Sequence, residues 1–165
     1  MSGEIIIGID PGSSATGYGV ITHQNNLLSY VDAGVIRLSR EKTFFKRMEI
    51  LYSRLIKIID ETRPNVSAIE DVFVSANPRS SLLLGHARGV AILAAVHGGL
   101  GIYEYTPTKV KQAVVGYGRA EKKQVQHMVK IILNLKSPPA QDAADALAVA
   151  ICHAHSSHAV NRYLT

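Results

Sequence analysis

Two acids three residues apart, Asp142 and Asp145, stand in the run Gln141-Asp142-Ala143-Ala144-Asp145-Ala146-Leu147-Ala148. On a helix, positions i and i+3 share a face, and the alanines around this pair leave that face little bulk. The helix dipole favours acids in a first turn, but it does not account for acids on a face shaped for burial. A third acid, Asp10, ends the apolar run Ile5-Ile6-Ile7-Gly8-Ile9, and Pro11-Gly12 turns the chain after it. Such a run reads as a strand buried on both faces. An acid at its end is costly unless it is paired or sits on a metal; the alternative is that Asp10 caps the turn through backbone amides. Glu70 ends a second short run, Val66-Ser67-Ala68-Ile69. Asp10, Glu70, Asp142 and Asp145 form an all-oxygen set of the kind that holds Mg²⁺, and the His/Cys spacing of a zinc site is missing. Two such ions about 4 Å apart support in-line displacement at a phosphodiester.

The elements that must bring these acids together follow from periodicity. Residues 16–21 read as a second strand antiparallel to the first, and residues 27–38 as a third, bent at Gly34. Within residues 41–62, Phe44, Phe45, Met48, Leu51, Leu55, Ile58 and Ile59 recur at steps of mostly three and four, which predicts an amphipathic helix ended by Pro64-Asn65. A helical crossover then places strand 66–70 parallel to the first. Residues 80–98 form a helix rich in small residues. Gly85 and Gly89 share one of its faces, which suggests a helix–sheet contact on one side and a dimer contact on the other. Strand 101–105 is also parallel. Three helices follow, 108–115 opened by Pro107, 120–135 and 140–155, and a frayed tail is expected from about residue 156. The expected fold class is therefore α/β: a mixed five-stranded sheet, a three-strand antiparallel meander plus parallel strands, flanked by helices.

A chain of 165 residues is most simply one domain, residues 1–165. Its hydrophobic fraction of 47% is that of an ordinary globular protein. The longest apolar stretch, 82–96, is short for a membrane span and carries His86 and Arg88. No signal peptide is visible, and a lone cysteine, Cys152, fits a reducing cytoplasm. The net charge of +5 and pI ≈ 9.4 shift the expectation toward a polyanionic partner such as nucleic acid.

In order along the chain, Gly8-Ile9-Asp10-Pro11-Gly12, Thr16-Gly17-Tyr18-Gly19, Ala68-Ile69-Glu70-Asp71-Val72-Phe73, Ala87-Arg88-Gly89-Val90, Val110-Lys111-Gln112, Ala120-Glu121-Lys122, Val125-Gln126-His127-Met128 and Asp142-Ala143-Ala144-Asp145-Ala146 resemble the RuvC-type bacterial Holliday junction resolvases. The likeness runs from about Ile5 to His155. It implies an RNase H-like fold and a cytoplasmic homodimer that nicks two opposed strands of a four-way DNA junction, in recombination and repair. It also implies Mg²⁺, two per site, with Mn²⁺ as a substitute, and a partnership with the RuvA–RuvB branch-migration complex. By that likeness Asp10, Glu70, Asp142 and Asp145 are catalytic and metal-binding, and Lys111 and Lys122 lie near the active site. Two departures stand out: Asp71, where some relatives carry an uncharged polar residue, and the longer basic tail of some relatives, which this chain lacks.

Phe73, just past the Glu70 strand, is a candidate for stacking on unpaired bases, or else packs under its loop. Arg79, Lys109, Arg119 and Lys123, with Lys111 and Lys122, cluster after the fourth and fifth strands and are candidates for phosphate contacts; a solvated face is the alternative. Lys111 and Lys122 are also placed to stabilise charge developing at a scissile phosphate. His127 reads as a packing residue beside an apolar stripe, and Cys152 as a buried small hydrophobe. Tyr117, His153, His155 and His158 receive no role. Three other functions compete: an RNase H-like nuclease acting on RNA–DNA hybrids or forks, a small ATPase-like nucleotide binder, and a catalytically dead DNA-binding scaffold.

Overall fold

The computed structural model describes residues 3–71 and 76–160, with side chains up to residue 156. The elements in chain order are β1 (Glu4–Asp10), β2 (Ala15–Gln24), β3 (Leu27–Arg37), α1 (Phe44–Thr62), β4 (Val66–Glu70), α2 (Pro78–His97), β5 (Gly101–Tyr105), α3 (Pro107–Val115), α4 (Lys122–Ile132) and α5 (Gln141–Val160). The strands form one sheet in the order β3-β2-β1-β4-β5. Pairing is antiparallel across β1/β2 and β2/β3, and parallel across β1/β4 and β4/β5. This is the α/β architecture expected from the sequence.

Side chains alternate across a strand, and that period sorts the core into two layers. Ile7, Ile9 and Ile69 pack on Leu51, Leu55, Ile58 and Ile59 of α1 and on the alanines of α2. Ile6, Val66 and Ala68 face the other way, onto α5 and onto Val110, Val125 and Val129. Local chemistry sets the helix ends. Asn77 accepts hydrogen bonds from the amides of Arg79 (3.0 Å) and Ser80 (3.3 Å), so α2 starts at Pro78 rather than residue 80. Arg63 takes the left-handed conformation at φ 47° and closes α1 with its amide 2.8 Å from the Ile59 carbonyl, one residue ahead of Pro64.

Helix α5 lies directly on β1 and β2. A Cβ at Gly8 would overlap the Ala146 carbonyl and stand 2.8 Å from the Ala150 amide nitrogen. One at Gly17 would overlap the Asp142 carbonyl, and one at Gly19 would meet the Leu147 side chain at 2.6 Å. The glycines of the strands and the alanines of the helix are thus two halves of one close approach. Along α5, residues 143–152 are buried except Asp145. The helix continues to Val160, beyond the end near 155 that the alanine pattern suggests.

Three expectations are corrected. β3 is irregular at Val31, which is extra between the pairs Val20–Asp32 and Ile21–Tyr30, and not at Gly34. Gly34 instead makes room for the Tyr18 ring, whose Cε1 would be 2.8 Å from an added Cβ. On α2, Gly85 and Gly89 do not provide the helix–sheet contact; both face open space, and Ala87, Ala91, Ala94 and Ala95 are the buried small residues. α2 is also longer than the apolar run 82–96. Its 20 residues, at a mean hydropathy of 1.2 over the best window, are enough by length and composition to cross a membrane. It packs here by its alanines against α1 and β5, with its other side open.

His153, without a role from sequence, is buried on α5. Burial, with His23 next in effect, lowers its pKa to about 4. Burial also pushes the Tyr105 phenol up to about 12, and its hydroxyl shares a 2.7 Å hydrogen bond with His153 Nδ1. Nε2 lies 3.8 Å from the Glu4 carboxylate. That carboxylate is partly solvated and does not outweigh the burial.

Two outcomes are expected. Gly8→Ala should destabilise the fold by about 1–3 kcal/mol or more in urea unfolding, because the obstacle is backbone and cannot repack. Between pH 6.5 and 4 the unfolded chain takes up a proton at His153 that the native chain does not, so stability falls as pH falls through that window. Relative to His153→Phe, the wild type should lose about 2 kcal/mol more between pH 7.5 and pH 5; parallel pH curves for the two proteins would contradict this.

Candidate active site

Asp10 and Glu70 end neighbouring parallel strands in matched register, next to the Ile9–Ile69 pair. Both are an odd number of residues from Ile9 or Ile69, so both project to the α5 side of the sheet. The first turn of α5, seated on Gly17, brings Asp142 and Asp145 to the same place. Ligand oxygens of Asp10, Asp142 and Asp145 lie within 4.8 Å of one another. Glu70 joins through a side-chain hydrogen bond with Asp10. Lys111 of α3 and Lys122 of α4 complete a cleft of ≈ 190 Å³ lined also by Pro107 and Val110.

The electrostatics are those of crowded acids. Burial, followed by the charges of Glu70, Asp145 and Asp142, raises the Asp10 pKa to about 8. Burial raises Glu70 as well, against the hydrogen bond from Asp10 and the charges of Lys122 and Lys111. Asp145 is raised by burial although Lys122 Nζ stands 3.6 Å from Oδ2 and Gln141 Nε2 donates to Oδ1 at 3.1 Å. Two cations do not neutralise four convergent carboxylates. The missing charge, with hard oxygen donors only, is what a divalent ion such as Mg²⁺ supplies, so the residues present fit that group.

The remaining candidates fall outside the cleft. Phe73 lies outside the described residues. Arg79 is exposed at the start of α2, and Arg119 is exposed between α3 and α4. Lys109 stands over the Tyr105 ring, 5.1 Å from its centroid. Lys123 borders a separate hollow with Met128 and His127, and His127 is exposed rather than packed. Cys152 is buried, as its setting suggested. Two partners were missed from the sequence. Gln141 lies four residues before Asp145, a spacing that signals a helical side-chain pair. Arg88 had no such signal. Asp71 follows Glu70 and therefore projects to the opposite face of the sheet, where Arg88 lies 3.7 Å from its Oδ1 and also pairs with Glu104. The extra acid thus stays out of the metal site.

Carboxylates at the ends of adjacent parallel strands, closed by acids from a helix across them in a mixed five-stranded sheet, define a metal-dependent nuclease of RNase H-like fold. Comparison with known proteins narrows the class. The family model for RuvC, crossover junction endodeoxyribonuclease, matches residues 6–153. The RuvC crossover junction endodeoxyribonuclease of Citrifermentans bemidjiense is 57% identical over 93% of this chain and 93% of that protein. That of Alkaliphilus metalliredigens is 52% identical over 93% and 94%. Among solved structures, Thermus thermophilus RuvC superimposes with a TM-score of 0.84 at 31% identity, covering 94% of this chain and 96% of that one. A structure of T. thermophilus RuvC in complex with Holliday junction substrate matches at a TM-score of 0.85 and 29% identity, with the same coverage. The chain belongs to the RuvC family of crossover junction endodeoxyribonucleases.

Arg88→Met would leave Asp71 and Glu104 facing each other without their shared cation. Because both acids are about half exposed, this should cost about 1 kcal/mol in chemical denaturation, and Asp71→Asn, which keeps the Arg88–Glu104 pair, should cost less.

Proposed function

We propose that this protein resolves four-way DNA junctions as a homodimer, cutting two opposed strands by symmetric phosphodiester hydrolysis with Mg²⁺. The observation that carries this reading is the convergence of Asp10, Asp142 and Asp145 on one point with Glu70 bonded to Asp10. These four hold the ions, two per site, and Mn²⁺ substitutes because it accepts the same oxygen donors. Bound there, a divalent ion would supply an activated water and stabilisation of the leaving oxygen. The carboxylates fix the position of that chemistry. Lys111 and Lys122 offset charge gathering on the phosphate oxygens as water adds to phosphorus and the P–O3′ bond breaks. The products are a 5′-phosphate and a 3′-hydroxyl, which a ligase can rejoin.

The dimer reading is supported by the open side of α2. Leu82, Leu93 and Val96 are exposed there, at 63%, 46% and 54%. Leu82 and Leu93 line a shallow apolar hollow of ≈ 440 Å³ over Gly85 and Gly89, where a second helix can approach closely. A two-fold dimer matches the two-fold symmetry of a junction and gives each opposed strand its own site. Exposed Arg79, Lys109, Arg119 and Lys123 serve as phosphate contacts beyond the cleft, and Phe73 as a base-stacking residue. The likeness to the family adds the RuvA–RuvB complex as partner and the cytoplasm as location.

The test is nicking of a mobile synthetic junction with Mg²⁺, beside linear duplex and an RNA–DNA hybrid. Wild type should make paired, ligatable nicks in the junction alone. Asp145→Asn should bind the junction but lose more than about 100-fold in nicking rate, since changes outside the ligand shell already cost 10–100-fold. Cleavage of the hybrid in preference to the junction would overturn the substrate reading, and an intact junction with both metals would overturn the enzymatic one.

A further inference from the structure

A groove of ≈ 520 Å³ separates the β3 edge of the sheet from the segment joining α4 to α5. Its walls carry Arg37 on one side, Lys136 on the other, and Tyr30, Pro138, Ala140 and Ala143 between them. Both cations are exposed, and among the described residues no carboxylate lines the groove. We infer that this groove seats the phosphate backbone of the junction arm leading away from the cut, with Arg37 and Lys136 as its contacts. The inference rests on the reading that the chain cuts junction DNA.

Position is the first argument. Asp10 pairs with Gly17, and Ala15, two residues further back along β2 toward the turn, pairs with Arg37. Arg37 therefore stands at the same end of the sheet as the catalytic acid, two strands away. The turn after Asp10 is tied to that end of β3, since the Ser14 carbonyl accepts from the amides of Leu38 (2.9 Å) and Ser39 (3.1 Å).

Spacing is the second. At 100° per residue, Ala143, which lines the groove, points about 160° away from Asp145 and about 140° away from Ala148, which line the cleft. Groove and cleft thus flank the first turn of one helix. A helix is about 10 Å across, which is about three nucleotides at 3.4 Å per nucleotide along a strand. A backbone passing the scissile position meets the groove about three nucleotides on.

Charge and rigidity are the third. Two cations without a competing acid make a phosphate seat, which positions DNA without reading its sequence. Lys136 is carried on a braced segment: Pro138 and Pro139 restrict the backbone, and Gln126 Nε2 of α4 donates to the Pro139 carbonyl at 2.7 Å. Little ordering remains to be done when DNA arrives.

The experiment is junction binding without divalent metal as a function of salt. Each phosphate contact contributes about 0.9 to the slope of log affinity against log salt. Arg37→Gln and Lys136→Gln should each flatten the slope by about 0.9, and the double variant by about 1.8, with the melting temperature of each retained. Lys57→Gln is the control: it removes one exposed charge from α1, on the opposite face of the sheet, and should leave the slope as it is. A wild-type slope in the double variant would overturn the inference, and so would an equal flattening by Lys57→Gln. Mg²⁺-dependent nicking by the wild type is read separately. If it fails while the slopes change as expected, the catalytic reading falls and the groove stands; if nicking succeeds and the slopes do not change, only the groove falls.

Discussion

Everything at the active end of this molecule depends on how closely α5 lies on the sheet. Gly8, Gly17 and Gly19 leave no room for a side chain between β1, β2 and the helix backbone. Packing with no side-chain layer between sets the height of the helix above the strands to within the size of a methyl group. Asp142 and Asp145 descend onto the strand ends only because of that contact. A bulkier floor would lift the first turn, and carboxylates that must share an ion would lose it over a displacement of about an ångström.

The same contact makes the site costly. Burial and mutual repulsion raise the pKa values of Asp10, Glu70 and Asp145, so the apo fold carries acids that resist ionising together. Lys122 and the Gln141 amide relieve Asp145 in part, and Lys111 and Lys122 relieve Glu70. The deficit left over is the driving force for binding a divalent ion: what destabilises the empty site favours the loaded one. The surrounding layers absorb this cost through their fully buried Ile6, Ile9, Ile69, Leu147 and Ile151.

The sheet also keeps functions apart. Glu70 and Asp71 are consecutive acids, yet strand alternation sends one to the metal site and the other to Arg88 on α2. That helix carries the ion cluster on its inner side and an apolar surface on its outer side. The carboxylate cluster and the exposed apolar side of α2 therefore meet only through the strands. On the face that carries the four acids, the first turn of α5 divides the cleft from the groove at the β3 edge.

The acids themselves were legible in the sequence. Buried runs ending in Asp10 and Glu70, and an Asp-x-x-Asp pair among alanines, are local patterns, and local patterns survive without tertiary information. The strand meander and the amphipathic α1 were legible for the same reason, since period two and period 3.6 are properties of the chain alone. What lay beyond the sequence were relations between distant segments. The small residues of α2 looked like one packing face, but only the structure separates the alanines that face the core from the glycines that face solvent. His153 had no role from sequence, and only the structure shows it buried on α5 beside Tyr105. Asp71 stood out beside Glu70 as a departure from the family pattern, and only the register of β4 shows that it turns away from the site; the facing of Arg37 and Lys136 across a groove joins residues about 100 apart. The sequence by itself determined which residues could bind metal and which elements would hold them, because charge, side-chain size and periodicity are local. Which carboxylates meet, at what height, and which acid is excluded were decided by the tertiary structure, because those outcomes depend on backbone contact between α5 and strands more than a hundred residues earlier.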